Sequence, residues 1–184
     1  MTKRISDRQT VKDFVDIAGE FCLFIEQRNR YTDVEMYQGL YGLLPKLCLS
    51  AMNLPEIERF NLYKGKNYHL AWKEIYMSLG KKFKASDDIY KNISPYQNNY
   101  SSKEPWESSI SNDIAEIYQD IAPGLEDWKD ENASTKRAIL WDWKFSYETH
   151  WGDHATDVFR AIHSLLYEKI TDSDDDYIGL RKNE

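Results

Sequence analysis

The run from Ala138 to Trp151 constrains the fold most. Ala138, Ile139, Leu140, Trp141, Trp143, Phe145, Tyr147 and Trp151 fall on nearly every side of a helix. A helix apolar all round has to be packed on from several directions, so the rest of the chain must supply partners for it. The segment extends from near Ser134 to about Ile170. After Gly152 its apolar residues narrow to one stripe: Ala155, Val158, Phe159, Ile162, Leu165 and Leu166. Gly152 lacks a β-carbon, so it can bend the helix or admit a close neighbour.

The remaining segments are helical in pattern as well. Val11, Phe14, Val15, Ala18, Phe21, Cys22 and Ile25 recur at three and four, behind a capping box from Ser6 to Gln9. A second box, Thr32 to Glu35, opens a helix striped by Met36, Leu40, Leu43, Leu44, Leu47 and Cys48. Pro45 is expected to kink or break it, and Leu54-Pro55 to end it. A third helix is expected from about Tyr68 to Leu79, with Trp72, Ile75, Tyr76 and Leu79 inward and Gly80 as its stop. A fourth carries Ile110, Ile114, Ile117, Tyr118 and Ile121 and is expected to break at Ala122-Pro123-Gly124. Strands have little support: Gly (8) and Pro (5) are too sparse for many turns. The expected fold is all-α, a single-domain bundle of five or six helices around a long central C-terminal helix. Its core runs from about 6 to 170, and residues 171–184 form an acidic, frayed tail.

Charge narrows the function. The chain carries 24 Lys+Arg against 31 Asp+Glu, a net charge of −7. That balance opposes nucleic-acid binding, which needs cations to displace counterions, and steers a basic protein partner instead. No run of 18 apolar residues is present to span a membrane, and the first residues have no secretory pattern. The expected compartment is the cytoplasm, with Cys22 and Cys48 as reduced core thiols.

Trp141-Asp142-Trp143-Lys144-Phe145-Ser146-Tyr147 followed by Trp151-Gly152 resembles the signature of the bacterial family known as domain of unknown function 5063. Leu43-Leu44-Pro45, Pro95-Tyr96, the stretch from Ser109 to Tyr118 and the helix Ala161-Ile162-His163-Ser164-Leu165-Leu166 are similar to it too. The resemblance covers about residues 11 to 168. It implies an all-helical fold and supplies neither an activity nor catalytic residues. Its pattern does not fix histidine at 150 or 154.

The residues that bear chemistry are few. His150 and His154 lie four apart, on one helical face, with Glu148, Asp153 and Asp157 around them. Two imidazoles and a carboxylate such as Asp157 can grip a divalent metal, with His69 or His163 as a third ligand. The zincin spacing H-E-x-x-H is absent, and the plainer reading is a polar helix face of His–Asp pairs. No metal or cofactor is expected. The tail from Asp172 to Asp176 lacks the Gly and Glu of a calcium loop, and Lys81, Lys82 and Lys84 are too short a basic patch for nucleic acid. The loop from Lys81 to Pro105 is longer than a minimal connection and carries Tyr90, Tyr96 and Tyr100. Those tyrosines, with Trp143, Tyr147 and Trp151, are the candidate binding residues, and no catalytic set is recognised. The expected function is therefore a non-enzymatic protein-binding module, an adaptor or immunity-type inhibitor, acting through an acidic and aromatic surface. The alternatives are a metal-dependent hydrolase using His150 and His154, and a small-molecule pocket beneath the Trp-rich helix.

Overall fold

The computed structural model describes residues 8–58, 63, 65, 68–87, 90–92, 106–129 and 132–167. Helix α1 (Gln9–Glu26) buries Val11, Phe14, Ala18, Phe21, Cys22 and Ile25. Ser6, the expected cap, lies outside the described residues. Arg8 starts the helix through its carbonyl, which accepts from the Val11 and Lys12 N–H groups. A 3-10 turn (Arg28–Arg30) leads to α2 (Asp33–Met52). There the expected capping box forms: the Glu35 N–H donates to Thr32 Oγ1 at 3.2 Å and the Thr32 N–H to Glu35 Oε2 at 2.8 Å. Pro45 does not break α2. It sits on the exposed face, where the carbonyl it leaves unpaired can turn to water.

Helix α3 (His69–Phe83) runs through Gly80, the expected stop. Ile75, Leu79 and Phe83 are buried, whereas Trp72 is half-buried and Tyr76 exposed. The cause is one-sided packing: α3 leans on α4 and leaves its outer face open. The long connection after it contains a 3-10 turn (Lys84–Asp87) and a small antiparallel ribbon. In the ribbon, β1 (Tyr90–Asn92) places Tyr90 opposite Ser108 and Asn92 opposite Trp106 of β2 (Trp106–Ser108). Helix α4 (Ile110–Asp127) is capped by Ser109, whose Oγ accepts from the Asn112 N–H at 3.2 Å. It too continues through its proline, Pro123. Tyr63 bonds to the Pro123 carbonyl at 2.9 Å and to Asp127 Oδ2 at 2.7 Å, pinning the preceding connection to the end of α4.

Helix α5 (Ala133–Ser146), a π-helical turn (Tyr147–Trp151) and α6 (Gly152–Tyr167) follow one another directly. Counted as one rod, they make five helices among the described residues, and the fold is an all-α bundle. The packing pairs α1–α2, α2–α6, α6–α4 and α4–α1 close a four-membered ring, and α3 packs on the outside of α4. Helix α4 therefore has neighbours on most sides. Ile110, Ser111, Asp113, Ile114, Ala115, Ile117, Tyr118, Ile121, Ala122 and Gly124 are all buried.

The Trp-rich segment is less enclosed than its composition implies. Trp143 is fully buried, 5.0 Å from the Phe14 ring and 5.3 Å from Trp128. Its indole lies over Gly124, where a β-carbon would stand 2.5 Å from Nε1. On the opposite side Trp141 is half-buried and stacks on Phe145, which is 48 % exposed.

Candidate functional site

The π-turn is the local irregularity that builds the site. The Gly152 N–H donates to the Tyr147 carbonyl, five residues back, instead of four. A β-carbon on Gly152 would stand 2.4 Å from that oxygen, closer than any side chain allows. So the Trp151-Gly152 pair has a physical reason: the glycine admits the wide turn, and the wide turn shifts the helix face that follows. Such π-turns concentrate at functional sites. Here the turn carries His150, and α6 carries His154 one helical turn later.

Both imidazoles face α4. His150 Nδ1 lies 2.7 Å from Asp120 Oδ2, and His154 Nδ1 lies 3.0 Å from Asp113 Oδ1. A carboxylate only accepts, so each Nδ1 carries a proton and donates. With both Nδ1 atoms committed, the two Nε2 atoms point at each other, 3.4 Å apart, with the rings nearly perpendicular at 86°. Asp113 is fully buried. It also receives the Ser108 hydroxyl and the Asn112 amide, which hold the carboxylate in place. His150 and Asp120 form the more open rim, at 46 % and 20 % side-chain exposure.

Asp113, Glu116 and Asp120 share one face of α4, and Asp153 and Asp157 share the facing side of α6. The field between them is negative, and it acts on the groups it surrounds. His150 is raised, first by its hydrogen bond to Asp120 and further by the charges of Asp120, Glu116 and Asp153. Asp157 is raised by burial and then by Asp113. Asp142, on α5, is pushed up to about 6 by burial and by Asp120. All three shifts favour the more positive form; in the two carboxyls burial is the larger cause and the neighbouring charge adds to it. Arg160 opposes the rise at Asp157, and the carboxylates of Asp113, Glu116, Asp120, Asp153 and Asp157 outnumber it.

Several chemistries can be weighed on this geometry. Ser108, Asp113 and His154 are in contact, but the serine gives its proton to the carboxylate, not to the imidazole. That order does not activate a nucleophile. Among the described residues no three His, Cys, Asp or Glu side chains are grouped to hold a metal ion. His69 stacks on Trp72 at 5.3 Å, and His163 bonds to the Tyr41 hydroxyl at 2.9 Å, so neither supplies the third ligand considered from the sequence.

The other expected site residues scatter. Tyr96 and Tyr100 lie outside the described residues, and Tyr90 is placed only as backbone in β1. Trp143 and Trp151 are fully buried; they are core, because their rings fill the interior between helices, and offer nothing to a partner. Tyr147 is half-buried against Trp151, with ring centroids 4.7 Å apart. The small-molecule pocket expected beneath the Trp-rich helix is filled on that side by Trp143, Phe14 and Trp128. Sequence reasoning missed Asp113 and Asp120, the two residues that orient the imidazoles. The available signal was their spacing: 113, 116 and 120 form a second, acidic stripe beside the isoleucine stripe of α4.

Comparison with known proteins adds the family and the fold. A family model described as Domain of unknown function (DUF5063) matches residues 6–168. Among solved structures the chain is similar to protein BF1032 from Bacteroides fragilis, with a TM-score of 0.77 and 22 % sequence identity. That similarity covers 91 % of this chain and 98 % of the other. No curated protein matches. Among the described residues no helix is long and apolar enough to cross a membrane.

Proposed function

This chain belongs to the DUF5063 family, and we propose that it acts as a binding protein, not a catalyst, taking a cationic group into the groove between α4 and α6. The observation that carries this reading is the convergence of carboxylates from two helices on a pair of half-exposed imidazoles. A groove with surplus negative charge focuses its field and draws positive ligands. The chain's net charge of −7 adds long-range attraction of the same sign. The partner is a protein segment rich in lysine or arginine, and it leaves the protein with no need of a nucleophile or a general base.

A fluorescent lysine- and arginine-rich peptide titrated against the protein tests this. Binding is expected to weaken at least tenfold between about 0.1 and 1 M salt, as the Debye length falls from about 10 to 3 Å. Glu116→Gln combined with Asp153→Asn should weaken it too, with the melting temperature no lower than the parent's. A peptide that fails to bind at low salt, or that binds the double variant equally well, removes the reading.

A further inference from the structure

We infer that the open side of this groove, between His150 Nε2 and His154 Nε2, is a binding site for a divalent transition-metal ion. The inference rests on the reading of the groove as a cation site and names the cation its histidine pair would take. Three features of the geometry support it. First, the Nε2 atoms are 3.4 Å apart. Two imidazole nitrogens on one tetrahedral ion, each at 2.0–2.1 Å, stand about 3.3 Å apart. Second, each imidazole donates its other nitrogen to a carboxylate, Asp120 at 2.7 Å and Asp113 at 3.0 Å. That is the carboxylate–histidine arrangement that fixes the tautomer and raises ligand basicity around a bound metal. It occurs here twice, on two histidines that share one point. Third, the π-turn and Gly152 set the helix face on which the pair sits.

The protein supplies two nitrogen donors, and water fills the remaining positions. A site of this kind is open, so its affinity is moderate and follows the Irving–Williams order, with copper(II) above zinc. The imidazoles make it a nitrogen site, one that calcium and magnesium, which take oxygen ligands, would not occupy.

Calorimetry with Zn2+ on the full chain is the direct test, alongside electron paramagnetic resonance of the Cu2+-loaded protein. One equivalent of Zn2+ is expected to bind. His150→Ala and His154→Ala should each weaken it at least tenfold, and the copper spectrum should show coupling to two imidazole nitrogens. Asp120→Asn should weaken binding about 10–100-fold, although Asp120 does not touch the ion. This variant separates a built site from an incidental pair of histidines one turn apart, which would be indifferent to it. Asp120 lies at the rim, so the variant avoids the folding risk of replacing the buried Asp113. No Zn2+ binding, binding that persists when both histidines are replaced, or an unchanged affinity in Asp120→Asn overturns the inference. If Zn2+ fails while the basic peptide still binds, the metal site falls and the groove reading stands. If both fail, both fall.

Discussion

A β-carbon at position 152 would stand 2.4 Å from the Tyr147 carbonyl oxygen and 3.1 Å from the Tyr147 ring. Backbone cannot yield there as a flexible side chain might, so Gly152→Ala must either distort the π-turn or convert it to α-helix. We expect a loss of about 1–3 kcal/mol, the usual range for overpacking, measured by urea denaturation. The His150 and His154 resonances should shift in the same variant, since the turn sets the face they share. The sequence pointed to Gly152 as a place of close approach, because glycine inside a helix needs a reason. It could not show that the close neighbour is the carbonyl five residues back. Asp142 gives a second residue-level test. Its folded-state pKa of about 6 lies above the ordinary 3.8, so between those values the native state holds more protons than the unfolded one. Stability then falls as pH rises through that window, and the ionised form is destabilising above it. Asp142→Asn should melt higher than the parent at about pH 7 and match it near pH 3.5, because both side chains are then neutral. Equal melting curves at both pH values would rule out this burial cost.

At the scale of the element, the two faces of α5 differ in a way composition hides. Trp143 is fully enclosed between Phe14 and Trp128, and its Nε1 donates to the Ile121 carbonyl at 3.3 Å. Phe145, two residues on, is 48 % exposed and leans on the half-buried Trp141. Trp143→Ala should therefore cost about 3–5 kcal/mol, whereas Phe145→Ala should stay near 1 kcal/mol or below. Denaturant titration of the pair checks the asymmetry, and similar losses in both would show that the helix is enclosed all round. An apolar residue in a sequence declares only that it tolerates burial, and aromatic rings stacked on each other satisfy the same pattern on an outer face. Local chemistry was more legible. Thr32 and Glu35 form their reciprocal cap because both donors and both acceptors lie within four residues. The two prolines misled for the opposite reason: the cost of one missing hydrogen bond is local, and the packing that keeps α2 and α4 continuous is not.

Across the whole molecule, periodicity identified the helices but not their arrangement. Which helix becomes central depends on pairings between distant segments, and α4 takes that place because α1, α3 and α6 all pack on it. The groove has the same origin. Asp113 and His154 are 41 residues apart, Asp120 and His150 are 30, and no spacing in the chain announces that they meet. Folding nevertheless brings like charges together there, and that has a consequence for stability as a whole. Glu116, Asp153 and Asp157 crowd the two Asp–His pairs, and Asp142 stands beside Asp120. Screening relieves such repulsion, since the Debye length shrinks from about 10 Å at 0.1 M salt to about 3 Å at 1 M. The protein should therefore melt at a higher temperature in 1 M sodium chloride than in 0.1 M. Salt also strengthens apolar burial to a degree, so the rise alone does not identify its source. The double variant Glu116→Gln, Asp142→Asn isolates it: the variant should start from a higher melting temperature and gain less from salt. If the salt gain is the same in both proteins, repulsion in the groove contributes nothing to it. If the variant melts lower at 0.1 M, these carboxylates hold the helices together instead of straining them apart.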